Sequence, residues 1–142
     1  MITVGPEILD QIRRHAEETY PHECCGILIG ALHADGRKDV QEVLPIENAR
    51  EDEAKRNRFL ITPDDLMRGE TYARRYRRDV VGFYHSHPDH PAVPSQFDLD
   101  HAWPVYSYII VSVRDRRSED LLSFELRADR SCFDAEDVSK GP

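Results

Sequence analysis

The sequence predicts an α/β domain in which helices cover a β-sheet. Segments with the apolar spacing of a helix alternate along the chain with short apolar runs typical of buried strands. The 142 residues are enough for one domain with a real core and too few for two. Hydrophobic residues at 39% and charged residues at 32% are ordinary for a globular protein, so the composition agrees with this class.

One helix and two strands are expected in the first third of the chain. Pro6–Thr19 has a proline in its first turn and an apolar stripe along one side, which predicts a helix. Gly26–Leu32 is a continuous apolar run and predicts a buried strand. The turn dipeptide Asp35-Gly36 then leads into a second strand at Val40–Ile46.

The middle of the chain predicts a loop followed by a strand, a helix and a further strand. Glu47–Arg56 is polar and without pattern, as in a loop, and Phe59–Ile61 predicts a short strand. Thr62 is an N-cap before a proline, so a helix is expected from there to Arg78. Val80–His87 then reads as a buried strand.

Two strands are expected to close the sheet near the end of the chain. They are Tyr108–Val113 and Leu121–Leu126, joined by a polar loop at Arg114–Asp120. The last residues are polar and are expected to fray. The sequence therefore predicts a single domain at residues 1–138 and a frayed tail at residues 139–142.

Charge and hydropathy exclude two classes of partner. The net charge of −8 argues against nucleic acid, because a surface that follows phosphates needs clustered cations. The one basic cluster, Arg74–Arg78, lies at a predicted helix end, where cations complement the dipole, and a docking surface for an acidic protein is the alternative. No apolar stretch approaches the ~18 residues of a membrane span, and no signal peptide is recognisable. We therefore expect a cytoplasmic protein.

Residues 85–98 are the most informative segment. In a strand, side chains two apart lie on the same face, so His85 and His87 can direct both rings at one point. Asp98 lies in the first turn of a short helix expected after Ser95, and Ser95 with Asp98 loosely fits a capping box. Two imidazoles and a carboxylate make a three-ligand zinc site with one position open for water. The segment predicts a hydrolytic metal centre.

A different metal chemistry has to be weighed against this prediction. His85–His90 also spells His-x-His-x-Asp-His, which resembles the signature of two-metal hydrolases of the metallo-β-lactamase type. Those proteins are longer chains with further ligands well downstream, whereas His101 is the only later histidine here. The two readings differ in metal stoichiometry, one ion against two.

Three segments together resemble the JAMM (MPN+) metalloprotease family. They are Glu23–Gly30, His85–Pro88 and Pro91–Asp98. The family motif is a distant Glu, then His-Ser/Thr-His, seven residues, Ser, two residues and Asp, and every position is filled here. The chain is similar over its whole length to the compact bacterial single-domain members. The resemblance implies a mixed, curled β-sheet flanked by helices, similar to that of cytidine deaminases, although the deaminase Pro-Cys-x-x-Cys signature is missing.

The resemblance also implies roles for five residues. His85, His87 and Asp98 would bind one Zn²⁺ per chain. Glu23 would take a proton from the attacking water and deliver it to the leaving amine, and Ser95 would help to stabilise the oxyanion.

The implied reaction is hydrolysis of an amide bond after the C-terminal Gly-Gly of a ubiquitin-like sulfur-carrier protein, with Glu47–Arg56 as a candidate contact to that partner. Asp89 and His90 are expected to line the cleft or to touch the metal ligands from outside. A non-catalytic MPN scaffold is the alternative, but such members lose the ligands or the Glu, and this chain keeps all of them. A monomer or weak homodimer is expected.

Overall fold

The protein is described by a computed structural model that covers residues 1–47 and 61–141. Within these residues, three helices and eight strands alternate along the chain. In chain order they are β1 (Ile2–Val4), α1 (Pro6–Thr19), β2 (Cys25–Leu32), β3 (Lys38–Ile46), α2 (Pro63–Arg75), β4 (Asp79–Pro88), α3 (Gln96–His101), β5 (Ser107–Arg114), β6 (Arg117–Leu126), β7 (Phe133–Glu136) and β8 (Val138–Ser139).

The eight strands form one mixed sheet in the order β7-β6-β5-β4-β2-β3-β1-β8. β4 is central, antiparallel to β2 and parallel to β5. The sheet is curled, so that side chains of strands that are not neighbours in it come into contact. Lys38 in β3 donates to Ser107 Oγ in β5 at 2.7 Å and to Glu125 in β6 at 3.0 Å. The expected mixed, curled sheet with flanking helices is confirmed.

Helices cover both faces of the sheet. The apolar stripe of α1, with Leu9, Ile12 and Ala16 buried, packs on one face with Leu28 and Tyr84 of the sheet. The other face packs against α2 and α3 and against a group of aromatic rings around Phe83. Alternate residues of β4 therefore face different cores, which puts His85 and His87 on the face of Phe83. In the part of the chain that the structure describes, none of the helices combines the length and apolar character needed to cross a bilayer.

The three predicted helices are all present, one with a shorter end than predicted. α1 has the predicted bounds. α2 begins after the predicted N-cap Thr62 but ends at Arg75, three residues before the predicted Arg78. Arg77 has a φ of 57°, a left-handed conformation that the helix cannot include, and Arg78 N–H closes the turn on the carbonyl of Ala73.

Two further predictions are wrong in part. Arg114–Asp120 is not a loop, since β5 and β6 continue into it and leave only Asp115 and Arg116 as a turn. Both turn residues have positive φ, 49° and 63°, as a tight two-residue hairpin requires, although neither is glycine or asparagine. The sequence predicts a frayed tail from residue 139, but Ser139 lies in β8 and pairs with Thr3 of β1. The short strands β7 and β8 at the edges of the sheet, and β1 beside β8, were not predicted.

Some predictions cannot be compared with the structure. The Glu47–Arg56 loop lies outside the described residues except for Glu47, as do Phe59 and Leu60 of the predicted short strand. Ile61 is described, and it is buried but not in a strand.

Candidate metal centre

The two histidines lie at the end of β4, a strand that is hydrogen-bonded on both sides. His85 is opposite Cys25 in β2, and His87 is opposite Ser112 in β5. Both are buried, at 0% and 8% exposure. The strand alternation directs the two rings to one point, where their Nε2 atoms are 3.2 Å apart. Ser86, between them, faces the opposite side, as the sequence predicts, and its Oγ accepts the Cys24 N–H at 2.8 Å.

Asp98 reaches the same point from the first turn of α3. Asp98 Oδ1 lies 3.2 Å from His85 Nε2, and Oδ2 lies 3.2 Å from His87 Nε2. The predicted capping box holds the carboxylate there, since Oδ2 accepts the Ser95 N–H at 2.8 Å and Ser95 Oγ accepts the Asp98 N–H at 3.1 Å. The structure therefore brings the three predicted metal ligands together.

The spacing of these three donor groups fits a single tetrahedral ion. Metal–ligand distances of about 2.0–2.1 Å place neighbouring ligand atoms of tetrahedral zinc about 3.3–3.4 Å apart. The two Nε2 atoms are 3.2 Å apart, and each lies 3.2 Å from an oxygen of Asp98, Oδ1 for His85 and Oδ2 for His87. Two imidazole nitrogens and a carboxylate oxygen are also a donor set that zinc prefers, so the residues present fit the ion that the sequence predicts.

The hydrogen bond on the far side of the His87 ring fixes which nitrogen faces the other donors. Nδ1 of His87 lies 2.8 Å from the carbonyl oxygen of Pro91. A carbonyl only accepts, so Nδ1 must carry the proton, and Nε2 of the neutral ring presents its lone pair to His85 and Asp98. This outer contact is of the kind that orients metal-binding histidines, and nothing in the sequence indicates it.

Burial and neighbouring groups shift two pKa values in the cluster. Burial lowers the pKa of His85 below its ordinary value, a shift that the carboxylate of Asp98 opposes. For Asp98, burial alone would raise the pKa, but interactions with His85, then His87 and the Ser95 N–H, hold it well below its usual range. A neutral imidazole and an ionised carboxylate are the forms that bind metal.

Glu23 lies beside the histidine pair. It is 3% exposed, and its carboxylate, His85 and His87 offer donor atoms that all lie within 4.8 Å of one another. Glu23 comes just before β2, and the next residue, Cys24, is bonded to Ser86 through both its N–H and its carbonyl. The sequence could not have selected Glu23 among the many acids without the family resemblance.

A cleft of about 560 Å³ opens beside these groups. The residues that line it include Glu23, His87, His90, Val93 and Ser95. Ser95 Oγ accepts the Asp98 N–H, so that contact does not use the hydroxyl proton. The five predicted site residues therefore lie at or beside one cleft.

The two residues that follow β4 have separate surroundings. His90 lines the cleft, and its carbonyl accepts the Ser112 hydroxyl at 2.7 Å. Asp89, whose carboxylate a two-metal site of the metallo-β-lactamase type would need, instead accepts the Tyr20 hydroxyl, which is 2.9 Å from each carboxylate oxygen. This contact gives no support to the two-metal reading.

A second cavity has a volume of about 430 Å³ and is lined in part by residues of α3. Asp98 lines it together with Arg130 and with aromatic residues, among them Phe83, Trp103 and Tyr108. Asp98 is therefore shared between the metal-ligand cluster and this largely apolar space.

Comparison with known proteins gives a family and named relatives. A family model described as prokaryotic homologs of the JAB domain matches residues 6–126. The chain is 32% identical over 116 residues to a desampylase of Haloferax volcanii, covering 78% of this chain and 80% of the relative. It is 30% identical over 104 residues to a probable TtuB-protein conjugate cleaving protease of Thermus thermophilus, covering 72% of this chain and 64% of that one.

A solved structure is similar over nearly the whole chain. The solution structure of a protein from Salinibacter ruber has a TM-score of 0.77 and 44% identity, and it covers 99% of this chain and 92% of that chain. The similarity extends through both the sheet and the helices that hold the candidate site.

Proposed function

Because this chain belongs to the family of prokaryotic homologs of the JAB domain, we propose that it is a zinc-dependent peptidase. It hydrolyses an amide or isopeptide bond after the C-terminal Gly-Gly of a ubiquitin-like, sulfur-carrier protein. The observation that supports this most directly is the set of three 3.2 Å separations among His85, His87 and Asp98, with Glu23 beside them.

His85, His87 and Asp98 hold one zinc ion per chain in this proposal. The ion, when bound, supplies Lewis acidity that makes water more acidic and polarises a carbonyl group. The chain's own contribution is to keep the three donors in place: β4 fixes the two rings, the capping box fixes the carboxylate, and Pro91 fixes the tautomer of His87.

Glu23 acts as the general base and then as the general acid. Its carboxylate takes a proton from the attacking water and later gives it to the leaving amine, so the proton count is balanced over the reaction. Ser95 donates a hydrogen bond from its hydroxyl group to the oxyanion of the tetrahedral intermediate. Both residues line the same cleft as His87, which supports these roles.

The names of the relatives support the class of substrate. One is a desampylase and the other a probable TtuB-protein conjugate cleaving protease. A Gly-Gly tail suits a cleft of this kind, because glycine has no side chain and can approach a buried centre where larger residues would clash. The carrier protein is therefore the proposed partner, and a monomer or weak homodimer in the cytoplasm remains the expectation.

The test is a cleavage assay with and without zinc. A ubiquitin-like carrier protein with a short C-terminal extension after Gly-Gly is incubated with the zinc-loaded protein, and its mass is followed. We expect the mass to fall by that of the extension, and we expect a chelator to stop the reaction and added zinc to restore it. Glu23→Gln should retain zinc and lose activity by about 10²–10⁴-fold. If several different carrier proteins all stay uncleaved, the result would instead favour the non-catalytic scaffold.

A further inference from the structure

Tyr20 and Asp89 connect the two loops on either side of the candidate centre. The Tyr20 hydroxyl lies 2.9 Å from each carboxylate oxygen of Asp89, a contact between residues 69 positions apart in the chain. Tyr20 follows α1 and lies three residues before Glu23, whereas Asp89 follows β4 and lies two residues after His87. The contact therefore joins the segment that contains the proposed base to the strand that contains the proposed ligands.

Each end of this connection is itself fixed. On the β4 side, the Asp89 N–H donates to the Val113 carbonyl at 2.7 Å, which extends the pairing of β4 with β5 by one residue. On the α1 side, Tyr20 N–H bonds to the Ala16 carbonyl, and His22 N–H bonds to the Thr19 carbonyl at 2.9 Å. A hydrogen bond between two anchored groups restricts the position of what lies next to it.

Glu23 lies between two such attachments to the same strand. On its C-terminal side, Cys24 is bonded to Ser86 by two hydrogen bonds, at 2.8 and 3.1 Å. On its N-terminal side, Tyr20 is bonded to Asp89. Without the second attachment, the segment from Tyr20 to Glu23 would lose one of its hydrogen bonds to the region of β4, and the carboxylate would gain freedom to move relative to the two rings.

We propose that the hydrogen bond between Tyr20 and Asp89 positions Glu23 for proton transfer, so that both are positioning residues for the reaction. The inference rests on the proposed role of Glu23. Proton transfer needs heavy-atom distances of about 2.6–3.2 Å, and a misplacement of about 1 Å can lower a rate by roughly 10²-fold. Loss of the Tyr20 hydroxyl should therefore lower kcat and leave zinc affinity intact, because the described hydrogen bonds of this hydroxyl are with Asp89, which is not one of the proposed ligands.

The chain offers a matched control. Tyr72 in α2 donates to the carboxylate of Glu42 in β3 at 2.7 Å, the same type of contact between a tyrosine and an acid. That pair joins α2 to a strand other than β4. A general effect of removing one tyrosine–carboxylate hydrogen bond would appear in Tyr72→Phe as well.

The experiment compares four variants of the zinc-loaded protein in the carrier cleavage assay. We expect Tyr20→Phe to lower kcat by about 10–100-fold with unchanged KM and zinc content, and Tyr72→Phe to stay within twofold of the unmodified protein. Asp89 has a φ of 60°, which glycine and asparagine both tolerate. Asp89→Gly should therefore match Tyr20→Phe, and Asp89→Asn, which keeps an acceptor, should retain most of the activity. Equal kcat for Tyr20→Phe and the unmodified protein would overturn the inference.

A second readout does not depend on activity. Hydrogen exchange at the His22 and Cys24 amides should be faster in Tyr20→Phe and Asp89→Gly than in the unmodified protein or Asp89→Asn, because both amides belong to the segment that the contact restrains. Unchanged exchange would overturn the inference even where kcat falls. If the unmodified protein cleaves no carrier, the proposed function fails, and the exchange data alone decide whether Tyr20 and Asp89 restrain the segment.

Discussion

Helices α2 and α3 begin with the same hydrogen-bonded box, yet only one of the two boxes lies at the candidate centre. In the first, the Thr62 N–H donates to Asp65 at 3.0 Å and the Asp65 N–H donates to Thr62 at 3.1 Å. In the second, Ser95 and Asp98 make the equivalent bonds at 2.8 and 3.1 Å. The local geometry of a Ser/Thr-x-x-Asp box thus says nothing about function.

The difference lies in what approaches each aspartate from elsewhere in the fold. One carboxylate oxygen of Asp98 is 3.2 Å from Nε2 of His85 and the other is 3.2 Å from Nε2 of His87, and the Asp98 side chain is 5% exposed. The Asp65 side chain is 13% exposed, and among the residues that the structure describes it forms an ion pair with the exposed Arg68 at 3.9 Å. A carboxylate that caps a helix has further lone pairs. In the second box, the two oxygens of Asp98 face the rings of His85 and His87. The two aspartates can therefore be tested against each other.

The largest expected effect comes from the paired variants Asp98→Asn and Asp65→Asn. Asp98→Asn removes the anionic ligand, and we expect zinc affinity to fall by more than about 100-fold and carrier cleavage to be lost with it. Asp65→Asn should leave both within twofold, because the described bonds of Asp65 are with Thr62 and Arg68 and not with the three proposed ligands. Competition with a chromophoric chelator measures the affinity. If Asp98→Asn and Asp65→Asn lost zinc affinity and cleavage activity equally, the proposed role of Asp98 as a zinc ligand would be contradicted.

The two hydroxyl residues should differ next most strongly. Ser95→Ala removes the proposed oxyanion donor, and we expect kcat to fall by about 10²-fold, equivalent to about 2.7 kcal/mol. Zinc should still bind, because the Ser95 N–H bond to Asp98 comes from the backbone. Thr62→Ala provides the control and should cleave the carrier at the normal rate. Steady-state kinetics measure kcat for both variants, and equal kcat values for Ser95→Ala and Thr62→Ala would contradict the role of Ser95.

The histidines at the second box should also make the metal-free protein sensitive to pH. Burial lowers the pKa of His85, so the unfolded chain binds a proton near pH 6.5 that the folded protein does not. Stability should then fall as the pH falls through about 6.5, by about 1.4 kcal/mol per pH unit at most. His15, whose pKa burial also lowers, acts in the same direction.

Replacing His85 isolates its share of this dependence, since His15 remains in both proteins. In urea unfolding without metal, the stability advantage of the unmodified protein over His85→Gln should shrink between pH 7 and about 5. Curves that stay parallel over this range would show that His85 is not held neutral.

The smallest expected effect is one in which the two boxes agree. Removing either cap leaves a backbone N–H of the first helical turn without its side-chain acceptor, at a cost of about 1 kcal/mol. We expect Thr62→Ala and Ser95→Ala, both without metal, to lower the free energy of unfolding by similar amounts in urea. A difference of more than about 1 kcal/mol would show that one box stabilises the fold by some further contact.

The sequence predicts the parts of this molecule that depend on local pattern. α1 has its predicted bounds because a proline at its first position and a regular apolar stripe define both its start and its buried face. His85 and His87 converge as predicted because strand alternation fixes their direction, and Ser95 caps α3 as predicted.

What could not be predicted depends on contacts between distant segments. β1 has three residues and exists through its pairing with β3 and β8, and β8 has two residues and exists through its pairing with β1. Asp115 and Arg116 adopt a turn that glycine or asparagine would normally signal. The contact between Tyr20 and Asp89 requires the fold itself, because nothing in either local sequence indicates the other.

The three proposed ligands differ in how firmly the fold holds them. Two belong to a strand paired on both sides, which opens only when the whole sheet does, whereas the third belongs to a helix of six residues. Gentle heating should therefore detach α3 while the sheet stays intact, so that catalytic inactivation precedes global melting and reverses on cooling. The durability of such a catalyst would be set by its smallest helix rather than by its core.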